Sequence, residues 1–181
     1  IAATQKTVET LKALGHEVFE MGVGIDYRLL YRAQGLVSAS NFAASMMRWV
    51  EALGREPEPG ELGPLAQRGY DGGRRVSGQQ ALWGWQTLRL INIQILERFQ
   101  AFEVFLTPTM SYPSPRIDWL DPLTVDVKEF DKRQAATYGT TPPFNFTGQP
   151  SLSLPLWQSE DNLPQGMMFT GQFGDEATLY R

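Results

Sequence analysis

Two runs decide how this chain folds, Phe144-Asn-Phe-Thr-Gly-Gln-Pro-Ser-Leu-Ser-Leu-Pro155 and Gly166-Met-Met-Phe-Thr-Gly-Gln-Phe-Gly-Asp-Glu-Ala-Thr-Leu179. The first opens with a side-chain amide, a hydroxyl, a flexible Gly and a chain-stiffening Pro, which suits a turn that brings polar groups close to a pocket. Ser151-Leu-Ser-Leu154 and Gly166-Met-Met-Phe-Thr170 then read as two strands, joined across Trp157 to Pro164 with turn chemistry at Asp161-Asn162. Asp175 can cap the amide groups of a helix that starts after it.

Upstream, helical and extended patterns alternate. Val8, Leu11 and Leu14 recur at three-residue steps before Gly15, so residues 4–14 form an amphipathic helix with a glycine stop. The strand formers of His16-Glu-Val-Phe-Glu-Met21 predict a short strand, closed by Gly22-Val-Gly24. A broad apolar side runs from Asp26 to Leu53, interrupted by Gly35 and Ser residues, and fits one kinked helix or two. Residues 54–63 have loop composition, 61–69 suit a short helix, and Gly72-Gly73 reads as the end of that loop. From Ser77, the spacing of Leu82, Trp85, Leu88, Ile91, Ile95 and Phe99 predicts the clearest helix of the chain. Val104-Phe-Leu106 follows as a short buried strand ended by Pro108. The Pro- and Asp-rich residues 111–130 read as a surface excursion, and 131–138 as a weak helix.

Composition narrows the function classes. With 181 residues, 42% apolar and 20% charged, the chain has an ordinary globular balance and room for one core. A formal net charge of −4 with scattered basic residues argues against nucleic acid or an anionic membrane as partner. No apolar run approaches the roughly 18 residues of a spanning helix, and a cytoplasmic location is expected. Without Cys, a thiol nucleophile, thiolate metal sites and disulfides are excluded by counting. Neither cofactor nor metal is implied.

Four segments, Leu106-Thr-Pro-Thr109, Phe144 to Pro155, Asn162-Leu-Pro-Gln-Gly166 and Gly174-Asp-Glu-Ala-Thr-Leu179, match in order and approximate spacing the C-terminal part of amidase signature enzymes. The resemblance covers essentially the whole chain, tightly from Phe99 onward; Ala52-Leu-Gly-Arg-Glu-Pro57 is similar to the branch containing 6-aminohexanoate cyclic dimer hydrolases. It implies an α/β chain that forms the C-terminal portion of a three-layer α/β/α fold with a mixed sheet. It further implies acyl transfer to a Ser, with a Lys acting through a second Ser to remove its proton, backbone amides holding the oxyanion, and water releasing the acid.

That catalytic machinery finds no match here. Lys occurs only at Lys6, Lys12, Lys128 and Lys132, and Ser38-Ala-Ser40 lacks the glycines such a nucleophile region needs. No catalytic residue is carried over, and residues 1–181 are read as a single C-terminal segment, truncated at both ends and inert alone. Its contributions to a substrate pocket are assigned to Thr109, Asn145, Thr147 and Gln149. Thr109 follows a strand's carboxyl end, where open α/β sheets place ligand sites, with a simple strand terminator as the alternative. Asn145 and Thr147 can equally hold the local turn. Tyr112 and Trp119 are candidate apolar walls in the excursion, with an ordinary surface loop as the alternative.

Other candidates read as plain structure. His16 sits at a solvated turn; Glu17 and Glu20 form a solvated edge; Trp83 and Trp85 belong to a helix core; Gly72-Gly-Arg-Arg75 lacks the Lys-Ser/Thr of a phosphate loop. The expected partners are a small amide substrate in the full-length parent, and either further copies of the chain or the N-terminal part that the family carries. A non-catalytic remnant that binds a partner chain or ligand, and an amidotransferase subunit, stay open as alternatives.

Overall fold

A computed structural model describes residues 1–123 and 126–181. The chain divides into two compact units, one of Ile1–Gly24, Asn92–Leu120 and Asp131–Arg181, the other of Ile25–Ile91 and Asp121–Phe130.

The first unit is built on a three-stranded antiparallel sheet in the order β1 (Phe105–Pro108), β3 (Pro164–Thr170), β2 (Ser151–Gln158). Residue pairing sets Phe105 and Ser151 opposite Thr170, and Thr107 and Ser153 opposite Met168. Because side chains alternate along a strand, Phe105, Thr107, Ser151, Ser153, Met168 and Thr170 share one face. The middle strand is covered on both faces, since Met167 and Met168 are each buried. Strand β2 runs past the predicted Leu154 by a register shift between Leu154 and Trp157. Pro155 and its missing N–H fall in that irregularity, where a ladder donor is dispensable. The turn to β3 places Asn162 at φ 57° and closes with Ser159 N donating to Leu163 O at 2.8 Å.

Helix α1 (Ala2–Ala13) packs on β3 and β1, and its buried Thr7 hydroxyl accepts from Trp157 Nε1 at 2.7 Å. Rings of Phe99, Phe105 and Phe144 meet in a cluster with centroids 5.5 to 6.2 Å apart. Gln172 Nε2 donates to Phe99 O and, at 2.7 Å, to Phe102 O. It thereby pins the turn that ends the helix at Phe99, in which Phe99 O also accepts from Phe102 N at 3.4 Å.

The predicted strand at His16–Met21 does not form. A strand needs a ladder partner, and this segment pairs with none of β1, β2 and β3. It is held instead by Phe19 set edge-on against Phe102, ring centroids 6.4 Å apart, and by Arg98 Nη1 donating to Gly22 O at 3.2 Å.

In the second unit α2 is one continuous helix, Tyr27–Leu53, in spite of Gly35 and the serines. Asp26 Oδ1 accepts from Arg28 N at 2.9 Å and Leu29 N at 3.2 Å, and Gly54 at φ 69° ends the helix. The Gly72-Gly73 pair, expected at a loop's end, lies inside α3 (Pro64–Arg74). A Cβ on Gly73 would stand 2.1 Å from Ala39 O and 2.6 Å from Ala43 Cβ, so this Gly serves the close approach of α3 to α2.

Helix α4 (Gly78–Phe99) begins as predicted after Ser77. Ser77 N donates to Gln80 Oε1 at 2.9 Å and Gln80 N to Ser77 Oγ at 3.2 Å, a reciprocal cap. Leu88, Ile91, Ile95 and Phe99 are buried, but Leu82 and Trp85 are 58% and 52% exposed. Gly84 faces Ala33 O and Val37 across a close contact. At about 100° per residue, Trp85 lies about 100° and Leu82 about 200° around the helix from Gly84, which turns both outward. Trp83 is half-buried. The expectation of a tryptophan helix core fails because a glycine, not the largest side chain, sets the contact face.

Candidate substrate-side site

After helix α5 (Val127–Tyr138), the chain forms one helical turn at Phe144–Thr147, α6, with Gly148 at φ 69° donating its N–H to Phe144 O at 3.3 Å. The turn is fastened by side chains. Asn92 Nδ2 donates to Phe146 O at 2.6 Å. Thr147 Oγ1 is buried and accepts from Gln149 N at 3.4 Å. Gln149, also buried, donates through Nε2 to Gly171 O at 2.9 Å, tying the turn to the end of β3. Asn145 is exposed. Two amide oxygens, Asn92 Oδ1 and Gln149 Oε1, are buried without a hydrogen-bond partner among the described residues.

At the other end of β1 stands a second polar group. Thr109 N donates to Gly166 O at 2.9 Å, and Thr109 Oγ1 and Ser153 Oγ lie 2.6 Å apart. A side chain on Gly166 would put a Cβ 2.8 Å from Thr109 Oγ1 and 2.9 Å from Ser153 Oγ, so the hydroxyl pair depends on that glycine. Thr107, on the same face, is buried with its hydroxyl unpartnered among the described residues.

The four sequence-predicted residues therefore fall into two groups. Thr109 lies beyond the carboxyl end of β1, whereas the turn holding Asn145, Thr147 and Gln149 packs through Phe144 on Phe105, at the start of β1. Four residues of strand separate them, about 13 Å. Ser153 was not among the sequence candidates. Its alternation marked one face of a strand, but only the register, through Met168, brings it beside Thr109's strand.

The excursion after Thr109 is anchored by Thr140 Oγ1 donating to Pro108 O at 2.9 Å and Ser111 N to Thr137 O at 3.3 Å. Tyr112 and Trp119 stack at 5.9 Å with planes 16° apart. Arg133 lies over the Trp119 ring at 5.4 Å and donates to Trp119 O at 2.9 Å. With Pro113 and Pro115 these side chains line an open cavity of about 400 Å³.

Chemically these groups can donate and accept hydrogen bonds and offer apolar walls. Among the described residues, no base is hydrogen-bonded to Thr109 Oγ1 or Ser153 Oγ. His16 is exposed. Among the described residues, no group of three or more His, Asp or Glu could hold a metal ion.

The mixed helix-and-sheet architecture is that of the amidase signature fold. It superposes on 6-aminohexanoate cyclic dimer hydrolase with a TM-score of 0.84 and 22% identity, over 98% of this chain and 38% of that one. A bacterial aryl acylamidase of the amidase signature family superposes with a TM-score of 0.70 and 20% identity, over 93% of this chain and 36% of that one. The family model "Amidase" matches residues 1–180, and this chain belongs to that family. A Mycobacterium leprae protein named as an amidase, AmiC, is 42% identical over 92 residues, 51% of this chain and 19% of that protein. The lipoamidase of Enterococcus faecalis is 24% identical over 98% of this chain and 27% of its own length. The chain thus spans well under half the length of each of these relatives.

Proposed function

We propose that this chain is the C-terminal, substrate-side part of an amidohydrolase that hydrolyses small linear or cyclic carboxylic amides through a Ser acyl-enzyme, acting in the cytoplasm. The observation that carries the reading is the match to the amidase family over residues 1–180. The Ser, second Ser and Lys of the mechanism lie outside these residues in this reading, in keeping with a Thr109–Ser153 pair that has no base bonded to it among the described residues.

Within that function, Thr109 and Asn145 present polar groups to the substrate directly. Thr147 and Gln149 shape the pocket by fixing the turn, since both are buried and engaged locally. The exposed apolar side chains of α2, among them Met47 at 67% and Trp49 at 63%, are covered by other copies of the chain or by the catalytic part of the enzyme.

The test is a panel of linear and cyclic amides offered to the 181-residue chain and to the same chain joined to a segment carrying the Ser and Lys. Hydrolysis by the joined protein alone is the expected result. Turnover by the isolated chain would overturn the placement of the catalytic residues, and no turnover by either would overturn the amidohydrolase.

A further inference from the structure

In the second unit, α2 and the first turns of α4 flank an open groove of about 550 Å³, lined by Tyr31, Arg32, Gly35, Leu36, Gln80 and Trp83. We propose that this groove binds a small organic carboxylate with a flat apolar body, its carboxylate on Arg32 and its body against Trp83 and Tyr31.

Three independent features point there. Arg32 carries its guanidinium over the Trp83 ring at 4.9 Å and forms no ion pair with any described carboxylate. A guanidinium held over an indole face by this cation–π contact keeps N–H donors for a bidentate anion.

Gly35 is the second feature. It stands inside a 27-residue helix, has no positive φ, and a Cβ there would meet no atom within 4 Å. Neither packing nor backbone conformation requires a glycine that destabilises a helix interior relative to Ala. Its one structural consequence is an open floor to the groove.

The third feature is shape. Just past Trp83, α4 closes onto α2 at Gly84, where a Cβ would lie 3.0 Å from Val37 Cγ2 and 3.1 Å from Ala33 O, so the two helices meet next to the groove. On the groove's lining, Gln80 Oε1 is held by Ser77 N, which leaves its NH₂ as a second donor. A volume of this size, mostly apolar with a few polar groups, suits a small molecule.

The experiment titrates the 181-residue chain with phenylacetate and with its neutral isostere phenylacetamide, by calorimetry and tryptophan fluorescence. Phenylacetate is expected to bind, and phenylacetamide about tenfold or more weakly than it. Arg32→Gln should weaken phenylacetate by about tenfold or more, and Gly35→Leu should abolish binding while leaving the thermal midpoint unchanged or raised. Equal binding of acid and amide, unaltered binding by both variants, or no binding up to about 10 mM overturns the proposal. Should Arg32→Gln fail to fold, the acid-to-amide ratio and Gly35→Leu decide it.

Discussion

Gly72→Ala and Gly73→Ala, adjacent substitutions of the same chemistry, are expected to move stability in opposite directions. Both residues lie within α3, where Ala is favoured over Gly by about 1 kcal/mol. At Gly72 a Cβ would find no atom within 4 Å, so the propensity gain stands alone. At Gly73 the same atom would meet Ala39 O at 2.1 Å and Ala43 Cβ at 2.6 Å. The first of these is main chain in the middle of α2 and cannot rotate away. Relief requires the two helices to part by about 1 Å, a gap that forfeits a quarter to a half of the dispersion well for every atom pair along the contact. Overpacking of this kind costs about 2–3 kcal/mol, and the propensity gain reduces the net loss to about 1–2 kcal/mol. For a chain of this size each kcal/mol moves the thermal midpoint by about 2–4 °C. Circular dichroism melts should therefore show Gly73→Ala lower by about 2–8 °C and Gly72→Ala higher by about 2–4 °C. Equal shifts of the two variants, or a stabilised Gly73→Ala, would refute the argument that this glycine exists for helix approach.

Gln172→Leu removes the donor shared by the Phe99 and Phe102 carbonyls and should cost about 1–3 kcal/mol in urea unfolding, the penalty for leaving the Phe102 acceptor unmatched. In the joined, catalytically competent protein, Thr109→Val with Ser153→Ala should raise KM a few-fold with little change in kcat; an unchanged KM would remove the hydroxyl pair from the substrate. Glu61 hydrogen-bonds to Arg55 and to the Glu58 N–H, which holds its carboxyl at about 2, below the usual 4.5. A depressed folded value means that the stabilisation is present above the unfolded value and is lost as pH falls through the folded one. Glu61→Gln should accordingly unfold earlier than wild type at pH 7, and the difference should vanish at about pH 2. A difference that persists at that pH would point to packing instead.

Local chemistry made much of this fold legible. The Ser77 start of α4, the Asp26 start of α2, the Asp175 cap and the Asn162 turn each rest on one side chain acting within four residues, and each formed where the sequence placed it. What escaped depended on partners distant in sequence. Gly73 reads as a loop residue until α2 is laid beside it, and Trp85 reads as core until Gly84 proves to be the contact. The segment His16–Met21 has the composition of a strand and no edge to pair with. Ser153 could be found only through the pairing of three strands.

The run that makes the family recognisable is for the most part the run that holds the first unit together. Phe144 fills the aromatic cluster, Gly148 ends α6 at a φ that disfavours side chains, and Gln149 spans to Gly171. Of the polar side chains between Phe144 and Gln149, only Asn145 is exposed. A sequence motif of this kind therefore reports the scaffold more directly than the substrate. Under the proposed function, selectivity among amides is set where the scaffold leaves groups free, at Asn145 and at the Thr109–Ser153 hydroxyls with the Tyr112–Trp119 stack that follows them. Exchanging residues 110–120 between two enzymes of this fold should then move substrate preference with the loop, whereas exchanging 144–150 should chiefly move stability.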